Sequence, residues 1–177
     1  TYNAAFGLLG RDARLVEPVQ QLFGEPVYMH QFKINAKAPF DGEVWQWHQD
    51  YGTWARDDGM PEARAMNIAV FLDEVMAING PLMLIPRSHK QGVLAAGHDR
   101  ATTSYPLWTL DNATVASLAE AAPIVAPTGR PGGVLMLTTA SRLTSISENP
   151  YHLHESVADE LLALLRPLFA RVDLYSM

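Results

Sequence analysis

The chain has 177 residues, 48% of them hydrophobic and 18% charged, enough to bury a core in one domain without covalent staples. Its formal net charge of -6 argues against nucleic acid and anionic membrane as partners, since both attract basic surfaces. The absence of cysteine excludes disulfides and thiolate metal sites, so any metal must sit among nitrogen and oxygen ligands, a set better suited to iron, manganese or magnesium than to structural zinc.

No apolar stretch is long enough to span a bilayer, and the start Thr1-Tyr2-Asn3-Ala4-Ala5 has neither a basic n-region nor an apolar h-region. A cytoplasmic protein with a small-molecule partner is expected. From Asp12 to Gly24, Leu15, Val16, Val19, Leu22 and Phe23 follow helical spacing, with Asp12 as N-cap, Gly24 as stop and Pro18 as the start of a second helical piece. Val27 to Ile34 is rich in β-branched and aromatic residues and predicts a strand. Its odd positions Gln31, Lys33 and Asn35 share one face, which reads as the lining of a cavity. Further strands are predicted over Glu43 to Tyr51, Met66 to Leu72 and, after the turn Asn79-Gly80-Pro81, Leu82 to Ile85. A helix capped by Asp111 and running through Val115, Leu118, Ala119 and Ala122 reads as an insertion outside the sheet, and Gly132-Gly133 leads into a strand over Val134 to Leu137. The tail changes character: Ser156 and Asp159 resemble a capping box ahead of an apolar helix containing Leu161, Leu162, Leu164, Leu165, Leu168 and Phe169.

His48-Gln49-Asp50 carries the chemistry. Residues two apart on a strand point to the same side, so the imidazole and the carboxylate converge. Completed by a second histidine, they form a 2-His-1-carboxylate triad that leaves three positions open on Fe(II), two for a bidentate 2-oxo acid and one for O2. By itself H-x-D also fits a plain hydrogen-bonded pair. It takes its weight from what surrounds it.

The stretch VYMHQFKINAKAPFDGEVWQWHQDYGTWARDDGMP, followed by AMNIAVFLDE, NGPLMLIPRSHK and PGGVLM, resembles the phytanoyl-CoA dioxygenase family of iron(II)/2-oxoglutarate oxygenases. The likeness is greatest to the bacterial branch acting on free amino acids such as L-proline, and more distant to ectoine hydroxylases. It runs from about Arg11 to Met136, within a single expected domain over 1–177 whose tail from 137 diverges. The resemblance implies a mainly β, double-stranded β-helix (jelly-roll, cupin-like) core with flanking helices. It implies an Fe(II)- and 2-oxoglutarate-dependent hydroxylase that consumes O2 and acts on a small free amino acid or a related cyclic compound. His48 and Asp50 would be metal ligands, Gln31, Asn35 and Asn67 would lie at the 2-oxoglutarate site, and Trp54 would contact substrate. Trp45 and Trp47 receive no role, and His30, His89 and His98 are not expected to be ligands. Relatives carry glycine at the place of Arg87.

After Met136 the likeness fails. The position of the family's distal histidine falls on Leu143 or Ser145, and neither Arg142 nor Arg166 stands where an arginine would clamp 2-oxoglutarate. His152 and His154, several residues later, are the substitutes within the chain, His152 the first candidate for the third ligand. The chain also begins late relative to the family, so the jelly-roll is expected to be incomplete, its activity impaired and its uncovered sheet prone to self-association. A member of the same fold that binds a metal or small ligand without turnover is the alternative, and a cupin-like hydrolase or isomerase using another metal is a further one.

Overall fold

A computed structural model describes residues 3–36, 44–103 and 105–138. Two compact units divide it: one takes in the described residues up to Asn35, the other the described residues from Ala36 onward.

The first unit opens with α1 (Ala4–Leu9), whose N-cap Asn3 accepts from the backbone N–H of Ala5 and Phe6. The cap satisfies donors that a helix start leaves open. Next comes α2 (Ala13–Phe23), capped by Asp12 through the Arg14 N–H and stopped at Gly24, whose φ of 68° suits a residue without Cβ. Leu15, Pro18 and Val19, at i, i+3 and i+4, form its buried face. Pro18 does not start a new piece as expected. The helix runs through it, giving up only the bond that its missing N–H would have donated.

The strand expected over Val27 to Ile34 is absent: residues 26–36 have no regular secondary structure, and Gln31, Lys33 and Asn35 are exposed. High β propensity needs a neighbouring strand to pair with, and none among the described residues joins this segment. Its apolar members pack locally instead, with the Phe32 ring 5.9 Å from that of Phe6 and the Met29 side chain lying against Gly10.

The second unit is built on antiparallel pairings. β1 (Met66–Val70) pairs with β4 (Val134–Thr138), from Met66 opposite Thr138 to Val70 opposite Val134. The same register continues to a bridge between Val75 and Gly129. Here the Phe71 ring lies so close over Gly129 and Gly133 that a Cβ on either would come within 2.6 Å and 3.1 Å of it. β2 (Gly97–Asp99) and β3 (Leu107–Thr109) form a hairpin that the sequence reading missed. His98, expected in a loop, lies in β2 and stacks on Trp108, ring centroids 4.8 Å apart.

Two further expectations need correction. Leu82 to Ile85 contributes one bridge, Leu84 to Val125, because Pro81 and Pro86 flank it and carry no N–H for a ladder. Glu43 to Tyr51 is not one strand: within its described part the extended backbone ends at Gln49, and α3 (Asp50–Asp57) begins, with an acidic residue at its positive end. α4 (Asn112–Ala121) forms as expected, with Asp111 accepting from the Thr114 N–H and Val115 buried. Among the described residues helix exceeds strand, so the mainly β composition does not appear in them. The expected tail helix beyond Ser156 lies outside the described residues.

Candidate functional site

His48 sits where two structural systems meet. Its backbone bridges to Thr109, the last residue of β3, and the neighbouring Leu110 N–H donates to the Trp47 carbonyl at 2.8 Å. The hairpin thus fixes the imidazole, while α3 fixes Asp50 at its first position. β1 supplies Asn67.

The pair converges as expected, although by a strand-to-helix junction and not along one strand. His48 Nε2 lies 3.1 Å from Asp50 Oδ1, and His48 Nδ1 lies 2.7 Å from the Gln46 carbonyl oxygen. A carbonyl only accepts, so Nδ1 carries the proton and donates. In a neutral ring Nε2 then points a lone pair at a carboxylate oxygen, and two lone pairs at that distance repel unless a cation lies between them. A proton is one such cation and a divalent metal is another. Two ligand atoms each about 2.1 Å from one ion and at right angles stand about 3 Å apart, so the observed spacing fits two adjacent positions around a metal. Asp50 Oδ2 is engaged elsewhere, accepting from Asn67 Nδ2 at 2.8 Å. Oriented ligands of this kind, each tied down by a second contact, are what a metal site requires. The side chains retain 21% and 36% exposure, so the shared side is open to water and small molecules.

Gln49, between the two, faces the other way. Its Nε2 donates to the Gly92 carbonyl at 2.8 Å and its Oε1 accepts from the Leu94 N–H at 2.9 Å. Two turns on, Arg56 donates from Nη2 to the Leu94 carbonyl and from Nη1 to the Gly52 carbonyl, both at 2.7 Å. Sequence reading missed Gln49 and Arg56, because the only local signal was the parity of Gln49 within H-x-D.

Trp54 lies one turn after Asp50 on α3 and is 7% exposed. Gln31 and Asn35 belong to the first unit. His30 in that unit lies edge-on to Tyr28. Burial lowers the pKa of His89, with Lys90 adding to the effect. Among the described residues no group of three histidine, aspartate or glutamate side chains is placed to share an ion. Leu143, Ser145, His152 and His154 lie outside the described residues.

A histidine on an antiparallel bridge and a carboxylate at a helix start, two residues apart, thus stand at the spacing that two adjacent positions around one divalent ion would have. The chain belongs to the phytanoyl-CoA dioxygenase family, whose model matches residues 3–138. Among curated proteins it is 40% identical over 134 residues to the ectoine dioxygenase of Sphingopyxis alaskensis, covering 72% of this chain and 44% of that protein. It is 49% identical over 80 residues to the L-proline trans-4-hydroxylase of Streptomyces griseoviridis, covering 45% of this chain and 30% of that one. The solved structure of EctD from S. alaskensis with bound Fe matches with a TM-score of 0.65 and 37% identity, covering 78% of this chain and 45% of that chain. The structure of the same protein with 2-oxoglutarate and 5-hydroxyectoine matches at 0.63 and 38%, covering 75% and 43%. The chain spans less than half the length of these relatives. No helix among the described residues is long and apolar enough to cross a membrane.

Proposed function

We propose that this chain carries the metal-binding dyad of an iron(II)/2-oxoglutarate-dependent hydroxylase acting on a small free amino acid, such as L-proline, or a related cyclic compound. The observation that carries the reading is the 3.1 Å approach of His48 Nε2 to Asp50 Oδ1, with Nδ1 and Oδ2 each tied to a separate partner. The likeness to an iron-bound relative supports it.

His48 and Asp50 would hold the metal, with His152 the first candidate for a third ligand. When bound, iron would supply the redox chemistry that couples decarboxylation of 2-oxoglutarate to C–H hydroxylation by O2. The residues of the chain do the rest. The Gln46 carbonyl keeps the Nδ1 proton in place, which directs the Nε2 lone pair outward. Asn67 engages Oδ2, and Oδ1 is the oxygen that faces His48. The amides of Gln31 and Asn35 are suited to donate to a carboxylate of the co-substrate. Trp54, one turn after Asp50 on α3 and 7% exposed, would contact a cyclic substrate.

The test is succinate formation by the full chain with Fe(II), 2-oxoglutarate, O2 and either L-proline or ectoine, run beside His48→Ala and Asp50→Ala. Turnover that needs Fe(II) and is lost in both variants is the expected result. Metal binding without succinate would leave the chain a metal-binding member of the family without turnover. Metal binding equally strong in both variants would remove the dyad from consideration.

A further inference from the structure

Gln49 is flanked by the two dyad residues, and its extended backbone (φ -111°, ψ 120°) sends its side chain away from the side where they meet. There the amide makes a two-bond pairing with the backbone of residues 92–94, donating to Gly92 and accepting from Leu94. Few side chains can do both: the pairing needs one acceptor and one donor at the same reach, which glutamine provides. The Leu94 carbonyl is taken by Arg56 from the same helix. The backbone at 92–94 is therefore gripped by two side chains from the element that bears Asp50.

The consequence follows from bond connectivity. Between the His48 and Asp50 Cα atoms stands only residue 49, whose φ and ψ set the angle between the two ligand side chains. A residue pinned by two hydrogen bonds at the tip of its side chain has those dihedrals restrained, and a ligand pair holds a metal best when its geometry exists before the metal arrives.

We infer that Gln49 is a positioning residue for the His48 and Asp50 pair, acting through its amide pairing with Gly92 and Leu94. The inference rests on the metal-binding reading of that pair. It assigns Gln49 no contact with metal or substrate.

The experiment uses the full chain and metal alone. Mn(II) affinity is measured by calorimetry or by the loss of the free-ion paramagnetic signal, Co(II) absorption is recorded as a spectroscopic signature, and melting is followed without metal. Gln49→Met keeps the reach of the side chain and loses both bonds. It is expected to weaken Mn(II) binding by about tenfold or more, the size seen when outer-shell partners of metal ligands are removed, and to change the Co(II) spectrum. Arg56→Met releases the Leu94 carbonyl without touching residue 49. It is expected to lower the melting temperature while leaving Mn(II) affinity near that of the parent. Gln49→Asn keeps an amide one methylene short of its partners and is expected to weaken binding in the same direction, which serves if the methionine variant does not fold. Parent-like affinity and spectrum in a folded Gln49 variant would overturn the inference, as would an equal loss of affinity in Arg56→Met. Undiminished binding by His48→Ala would instead overturn the metal-site reading beneath it.

Discussion

Asn67 donates to Asp50 across 2.8 Å, joining strand β1 to the first residue of helix α3 through the carboxylate oxygen that does not face His48. Replacing Asn67 by leucine keeps the volume and removes this donor, so the carboxylate loses one of the contacts that orient it. Metal affinity should fall about 10- to 100-fold, as for other outer-shell partners. Calorimetric titration with Mn(II) checks this, and unchanged affinity would return Asn67 to a purely structural role.

A metal held by His48 and Asp50 in the folded state and not in the unfolded chain raises the melting temperature with concentration. At a hundred times its dissociation constant the added stability is about 2.7 kcal/mol. Thermal melts across a Mn(II) series should rise for the parent and stay flat for His48→Ala and Asp50→Ala. A rise in either variant would place the ion elsewhere.

Arg87 adopts a left-handed backbone, with φ 65° and ψ -1°, just before a short 3-10 turn over Ser88–Gln91. That conformation costs a residue with a Cβ about 1–2 kcal/mol, while glycine avoids the cost and forfeits about 0.4–1 kcal/mol through its freer unfolded chain. Arg87→Gly should therefore stabilise the protein by up to about 1 kcal/mol, or about 2–4 °C in Tm for a chain of this size. A lower Tm would mean that the arginine side chain contributes more than its backbone loses.

Gly52 shows the opposite constraint. A Cβ there would meet Arg56 Nη1 at 2.9 Å and Gln49 Cβ at 3.3 Å, and the Arg56 head is tethered to both Gly52 and Leu94. Alanine gains about 1 kcal/mol of helix propensity but must displace that head, a crowding cost of about 1–3 kcal/mol. Gly52→Ala should be destabilising alone, and less so in an Arg56→Ala background, where the obstruction is gone. Equal effects in the two backgrounds, read from paired urea melts, would contradict the steric account.

His89 supplies a pH dependence. Burial, helped by Lys90, lowers its pKa, and its buried Nε2 has no hydrogen-bond partner among the described residues. The folded protein thus binds its proton less readily than the unfolded chain. This contribution to stability is fully present above the unfolded pKa of about 6.5 and is lost as pH falls from there through the lower folded value. Comparing melts at pH 7.5 and pH 5.5, His89→Phe should lose less stability than the parent. An identical drop in both proteins would assign the slope to other groups.

How much of this was legible in the sequence varied with the range of the forces involved. Caps act within a few residues, so Asp12 and Asp111 marked α2 and α4 correctly, and Gly24 marked the end of α2. H-x-D spacing predicted that the His48 and Asp50 side chains converge, although it did not reveal that a helix begins at Asp50. Strand reading failed where pairing decides: Val27 to Ile34 has the composition of a strand and joins no strand among the described residues, whereas Leu107 to Thr109 is too short to stand out and pairs with β2, with Thr109 also bridged to His48. Gln49 and Arg56 escaped notice because their partners lie 43 and 38 residues away. The distance from sequence to contact is long there, and no local pattern encodes it.

Thr109 pairs with Gly97 on one side and with His48 on the other. The chain can therefore tolerate added length very unevenly. One extra residue between Arg100 and Pro106 lengthens only the link joining the two hairpin strands. The same residue placed between Leu107 and Leu110 slips the register against the 47–48 segment, and alternation on extended backbone then turns a neighbouring side chain toward the site in place of the His48 imidazole. Among chains that share this scaffold, insertions should collect in the first interval and be excluded from the second.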